Sequence, residues 1–166
     1  MHGGLRGILP DLAMRLPKAA IEGLLDTWPV ARLATLTPEG RPHQVPIVFA
    51  RVRGLLWSPV DAKPKASGEL ARVRHLRTNP AASLLLDHYA QDWSRLWWLR
   101  VDVTARVVEP ATLDADSEAA AAVAALRAKY PQYASVAVLR EPPVLLELRP
   151  LAIESWCAGL EAVPVG

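Results

Sequence analysis

Trp97-Trp98-Leu99-Arg100-Val101-Asp102-Val103-Thr104-Ala105-Arg106-Val107-Val108 is the stretch on which the architecture turns. Trp97, Leu99, Val101, Val103, Ala105 and Val107 alternate with Trp98, Arg100, Asp102, Thr104, Arg106 and Val108. Successive side chains of a β-strand point to opposite faces, so this alternation predicts one long strand with one mostly apolar face.

Working upstream, Ala82 to Asp87 is apolar and short enough for a buried strand. Before it, Glu69 to Leu76 places Leu70, Val73 and Leu76 on one side of a helix that Asn79-Pro80 ends. Three strands are expected earlier still: Arg32 to Thr37, His43 to Arg51 and Leu55 to Val60, separated by the turns Pro38-Glu39-Gly40 and Arg53-Gly54. In the second of them Val45, Ile47 and Phe49 share one face, and Gln44, Pro46, Val48 and Ala50 the other. An amphipathic helix precedes this meander, with Ile21, Leu24, Leu25 and Trp28 at i, i+3, i+4 and i+7, Pro17 in its first turn and Pro29 as its stop. Downstream, Asp114 and Asp116 are candidate N-caps for a helix through Lys129, with Ala119, Val123 and Leu126 facing inward. A last strand or pair of strands spans Val144 to Trp156, with Pro150 interrupting it. Antiparallel strands joined by short turns, with helices at three connections only, predict a mainly β (α+β) fold, a β-barrel with peripheral helices.

At 166 residues, 51% hydrophobic and 22% charged, one domain over 1–166 is expected. A net charge of +2 gives no argument for a nucleic-acid partner. The single cysteine, Cys157, excludes an intrachain disulfide and a multi-thiolate metal site, which suits a cytoplasmic home. The apolar run Ala119 to Leu126 falls far short of the roughly 20 residues a membrane helix requires, and Met1 to Pro10 carries no secretory signal pattern. There is no Gly-x-Ser-x-Gly, no His-Glu-x-x-His and no Gly-x-Gly-x-x-Gly, so no metal site and no nucleophile elbow or Rossmann nicotinamide site is expected.

Two segments stand out. Asp61-Ala-Lys63-Pro-Lys65-Ala-Ser67-Gly68 gathers two of the four lysines between a strand end and a helix start, where helix N–H groups and ammonium charge suit a phosphate. A solvated loop before a helix has the same composition. From Asp87 to Arg100, three of the six tryptophans (Trp93, Trp97, Trp98) fall within six residues. Such a cluster can wall a pocket for a flat ring, or fill a core or a dimer interface. Together, an anion perch and an aromatic wall point to a phosphorylated planar cofactor.

Ala31 to Phe49, the Asp61-x-Lys63-x-Lys65 loop, Leu70-x-Arg72-Val73-x-x-Leu76-x-x-Asn79-Pro80 and Asp92-Trp93-x-x-Leu96-Trp97-Trp98-x-Arg100 resemble the pyridoxamine phosphate oxidase-like split-barrel family over about residues 17 to 157. More narrowly they resemble its branch assigned to the deazaflavin F420. The resemblance implies a six-stranded antiparallel split β-barrel that forms homodimers, with the cofactor between subunits. It implies that Arg32, Lys63 and Lys65 face the cofactor phosphate and that the backbone of Val45, Pro46, Ile47 and Val48 faces the ring, with Trp57 and Ser58 as neighbours. Arg72 and Arg100 would serve the longer anionic tail of F420, and Trp98 or its neighbour Trp97 would enter the pocket. Thr37 stands where flavin-using relatives carry a second phosphate-binding lysine, which favours F420 over FMN. The implied activity is hydride transfer to a small unsaturated substrate, with Tyr89, His88 or solvent as proton donor. The alternatives are an FMN-dependent oxidase or reductase of the same fold and a non-catalytic flavin- or deazaflavin-binding protein.

Overall fold

The computed structural model describes residues 14–60, 69–109 and 117–163. Lys63, Lys65, Asp114 and Asp116 lie outside the described residues. Seven antiparallel strands, β1 (Ala31–Leu36), β2 (Pro42–Ile47), β3 (Ala50–Val52), β4 (Leu55–Pro59), β5 (Ala81–His88), β6 (Trp97–Val108) and β7 (Leu145–Cys157), form one sheet in the order β2-β1-β5-β6-β7-β4-β3. The two outermost strands are consecutive in the chain and only Val48 and Phe49 separate them, so the sheet curls until its edges meet. That is a split β-barrel. The single strand expected from His43 to Arg51 is therefore two strands, and counting them as one bent strand restores the expected six. The bend lets the chain exchange β1 for β4 as its partner: Ala31 faces Ile47, whereas Ala50 faces Trp57.

Inside the barrel, Leu33, Leu84, Leu86, Trp97, Leu99, Val101, Leu146 and Leu148 are buried, each stabilising the fold by roughly 1.5–3 kcal/mol relative to exposure. Helix α1 (Lys18–Thr27) adds Leu24 and Leu25, and the Trp28 ring beyond it meets Trp97 edge-on at 4.7 Å. Helix α2 (Ala71–Thr78) sends Val73 and Leu76 into the same core. It is tied to β1 by a 3.0 Å hydrogen bond between Thr35 Oγ1 and His75 Nδ1, with the His43 ring edge-on to His75 at 4.9 Å.

Helix α3 (Glu118–Lys129) covers the outside of β3, β4 and the first part of β7, packing Ala119, Ala122 and Leu126 on Ala50, Trp57 and Leu145. Ala122 takes the inward place expected of Val123, which flanks the contact partly buried. The cap is Ser117, not Asp114 or Asp116: its Oγ accepts the Ala120 N–H at 3.0 Å.

Pro150 does not break the last strand. β7 runs unbroken beside β6 with a register shift: Asp102 faces Ala152 and Val103 faces Pro150, leaving Leu151 as the extra residue, 67% exposed. A proline, having no N–H, is accommodated at such a bulge without an unmade ladder bond. Beyond Leu148 the second edge of β7 has no strand partner among the described residues until Cys157, which bridges to Met14.

Candidate functional site

Among the described residues, the outer face of β1, β5, β6 and the distal part of β7 carries no helix comparable to α3. Registered partners on neighbouring strands share a face. One row crosses it as Pro46, Arg32, Leu85, Arg100 and Glu154, and the next as Asp87, Trp98 and Trp156. A cavity of about 460 Å³ opens there, lined by Leu85, Asp87, Tyr89, Trp98 and Arg100.

Alternation decides which tryptophan reaches it. Trp97 is fully buried in the barrel, and Trp98 turns outward onto the cavity wall. Tyr89, just past β5, stands 68% exposed at the rim, whereas His88 is registered with the inward-facing Trp97. Between Tyr89 and Trp97 the chain makes a short 3-10 turn over Trp93–Arg95. Asp92 caps it by accepting from Ser94 N–H at 3.1 Å and Ser94 Oγ at 2.6 Å, and these bonds hold its carboxyl below the usual range.

The charges on this face are paired. Arg32 Nε lies 3.1 Å from Asp87 Oδ1, and Arg100 Nε lies 3.3 Å from Asp102 Oδ1, which also accepts the Ser83 hydroxyl at 3.0 Å. Arg15 meets Glu154 at 3.3 Å. Around the cavity these three cations and three carboxylates cancel, while further along β6 and β7 Arg106 and Arg149 share Glu147.

The structure brings together Arg32, Pro46, Trp98 and Arg100 of the expected site, and adds Leu85, Asp87 and Tyr89 as cavity or rim residues. Val45 and Ile47 send their side chains toward the barrel core, and Val48 packs with the cluster under α3. The backbone of Val45 and Ile47 belongs to β2, which among the described residues pairs with β1 only, and Val48 lies in the bend after it. Trp57 and Ser58 are each 1% exposed and point to opposite faces, Trp57 beneath α3 and Ser58 into the barrel beside Leu146. Trp57 Nε1 and Ser58 Oγ are buried without a hydrogen-bond partner among the described residues. They sit at the strand end that leads toward 61–68. Arg72 belongs to the first turn of α2, away from the registered rows.

The cavity fits a flat ring: an indole wall, a leucine floor, a phenol at the rim and no net charge to compensate. Asp87 was the residue hardest to find from sequence. Its signal is the pairing of β5 with β6, which sets Asp87 opposite Trp98.

A family model described as pyridoxamine 5'-phosphate oxidase matches residues 17–157. The chain belongs to the pyridoxamine 5'-phosphate oxidase family. No curated protein matches it significantly. Among solved structures it is similar to a FAD-binding protein from Mesorhizobium loti, at 19% identity over 87% of this chain and 95% of the other, TM-score 0.62. It is also similar to HutZ, a heme storage protein from Vibrio cholerae, at 21% identity over 84% and 94%, TM-score 0.62. An F420 reductase aligns at 22% identity over 80% and 94%, TM-score 0.52. At these identities the three share the fold with this chain. Among the described residues no helix is long and apolar enough to cross a membrane.

Proposed function

We propose that this member of the pyridoxamine 5'-phosphate oxidase family is an oxidoreductase that uses F420, with FMN as the alternative cofactor, on a small unsaturated organic substrate. The observation that carries this reading is the cavity walled by Trp98 on the uncovered sheet face. When bound, such a cofactor supplies the hydride or electron chemistry, and the protein supplies binding, orientation and exclusion of water.

Trp98 and Leu85 offer apolar contact to one side of a ring, and the edge of β2 near Val45, Pro46, Ile47 and Val48, unpaired among the described residues, offers backbone donors and acceptors to its rim. Lys63 and Lys65, in the segment after β4, would hold the phosphate. Tyr89, at the cavity rim, is better placed than His88 to give a proton to the reduced substrate. The Thr37 hydroxyl accepts the Arg41 N–H at 3.2 Å within the β1–β2 turn, so it is engaged in shaping that turn.

The same reading places a second copy of the chain against this face. Supporting it are the distal edge of β7, unpaired among the described residues, and the exposed apolar side chains Tyr89, Trp93, Leu151 and Leu160. Titration of the purified protein with F420 and with FMN at physiological ionic strength tests the cofactor, and reduction of an enone substrate by the preferred one tests turnover. Tighter binding of FMN reverses the ranking. Cofactor binding with no turnover on any enone makes the protein a carrier.

A further inference from the structure

The resemblance assigns Arg32 to a cofactor phosphate, but the structure gives Arg32 a different partner. Its Nε rests 3.1 Å from Asp87 Oδ1, on a carboxylate whose side chain is only 18% exposed while the arginine's is 52% exposed. Asp87 also lines the cavity, directly across the strand pair from Trp98. The arginine that lines the cavity, Arg100, is likewise held by a carboxylate, Asp102. A negative group entering beside Arg32 must share its guanidinium with Asp87 and sit within a few ångströms of that carboxylate. The carboxylate, mostly shielded from water, repels it and loses part of its counter-ion to it.

An uncharged flat group meets no such obstacle. It leaves both ion pairs intact, covers the face of Trp98 and the side chain of Leu85, and can donate an N–H to Asp87, whose two oxygens offer more acceptor sites than Arg32 Nε uses. We propose that Asp87 sets the charge selectivity of this cavity: it admits uncharged planar groups, such as an amide-bearing ring, and turns away anionic ones, so the anionic part of any ligand lies elsewhere. Arg32 then acts as the positioning partner of Asp87. This inference rests on the reading of the cavity as a ligand seat and names the chemical class that seat takes.

The test uses two probes of one shape, naphthamide and naphthoate, titrated calorimetrically into the full chain and its Asp87→Asn and Arg32→Gln variants. The wild-type protein should prefer naphthamide by about fivefold to tenfold, the size expected of one unit charge about 4 Å away where screening is close to that of water. Asp87→Asn, which frees Arg32 and keeps the side-chain shape, should raise naphthoate affinity until the preference vanishes or inverts, with naphthamide nearly unchanged. Arg32→Gln leaves Asp87 uncompensated and should widen the preference. Equal or tighter binding of naphthoate by the wild type, an unchanged ratio in Asp87→Asn, an unwidened one in Arg32→Gln, or no binding of either probe overturns the proposal. The probes need no cofactor, which separates the two readings. A protein that discriminates between them yet binds neither F420 nor FMN keeps this inference and loses the cofactor. One that binds FMN but fails to discriminate loses only this inference.

Discussion

The Tyr130 hydroxyl sits on the backbone of Phe49: it accepts the Phe49 N–H at 3.0 Å and lies 2.8 Å from the Phe49 carbonyl oxygen. Phe49 is one of two residues between β2 and β3, where the chain changes partners and the sheet ladder lapses. Buried backbone groups there need another partner, and a phenol from the end of α3 provides it. The same hydroxyl lies 3.0 Å from the Pro29 carbonyl oxygen, so its one proton has two acceptors to choose between.

Tyr130→Phe removes that partner and leaves the buried Phe49 groups unsatisfied. The variant should lose about 1–3 kcal/mol in urea denaturation, with an unchanged m-value. Burial pushes the Tyr130 phenol up to about 12, so the neutral form is favoured in the fold. Its contribution is therefore complete below pH 10 and is lost as pH rises toward 12. A loss under 0.5 kcal/mol would show that water replaces the hydroxyl at about no cost.

Lys129 Nζ is buried over the Phe49 ring, 3.9 Å from its centroid, with no hydrogen-bond partner among the described residues. Burial lowers the amine to about 8, which Asp26 only partly opposes. Below pH 8 the folded protein carries this charge at a cost, and stability should rise with pH between 8 and 10.5. Lys129→Met should stabilise the protein at pH 7 by about 1–2 kcal/mol, a figure discounted for solvent access and for the ring contact. The gain should shrink as pH climbs past 8. A melting temperature that falls on substitution at pH 7 would show the cation–ring contact outweighing the burial cost.

Trp97 and Trp98 are neighbours in sequence and opposites in role. Trp97→Ala should destabilise by about 3–5 kcal/mol, the cost of emptying a packed aromatic site. Trp98→Ala should cost under about 1 kcal/mol of stability and instead weaken cofactor binding by about 1–2 kcal/mol. Thermal melts and cofactor titration of both variants check the split, and the reverse assignment would place the site on another face.

Replacing Lys63 and Lys65 together by alanine should weaken binding of a phosphorylated cofactor by roughly 2–4 kcal/mol through lost charge-assisted bonds. Riboflavin, which has the FMN ring without the phosphate, should bind both proteins equally. Unchanged FMN affinity removes these lysines from the site.

Much of the barrel is readable from one-dimensional pattern because burial imposes it. The alternation from Trp97 to Val108 could only be a half-buried strand, and the spacing of Ile21, Leu24, Leu25 and Trp28 only an amphipathic helix. What pattern could not supply was three-dimensional. Nothing in His43 to Arg51 marks Val48-Phe49 as a bend, because the partner that stabilises it, Tyr130, is 81 residues away. Ser117 could not be told from Asp114 or Asp116 as a cap, since all three residue types serve. Pro150 signals a break but equally suits a bulge. At the site, Trp98 and Arg100 stood on the more polar side of the alternation and Arg32 came from the family resemblance, whereas Asp87 gains meaning only through strand register. Trp57 and Ser58, adjacent in sequence, had to diverge to opposite faces.

The bend at Val48-Phe49 also bears on the order in which the molecule assembles. β5 and β6 pair across eight intervening residues, a short-range contact that forms quickly. The seam between the two ends of the sheet is held by a contact 81 residues apart, and it gains nothing until both ends exist. It should therefore zip last, so Tyr130→Phe should leave the refolding rate nearly untouched and show up as faster unfolding, making this seam a brake on the molecule's coming apart.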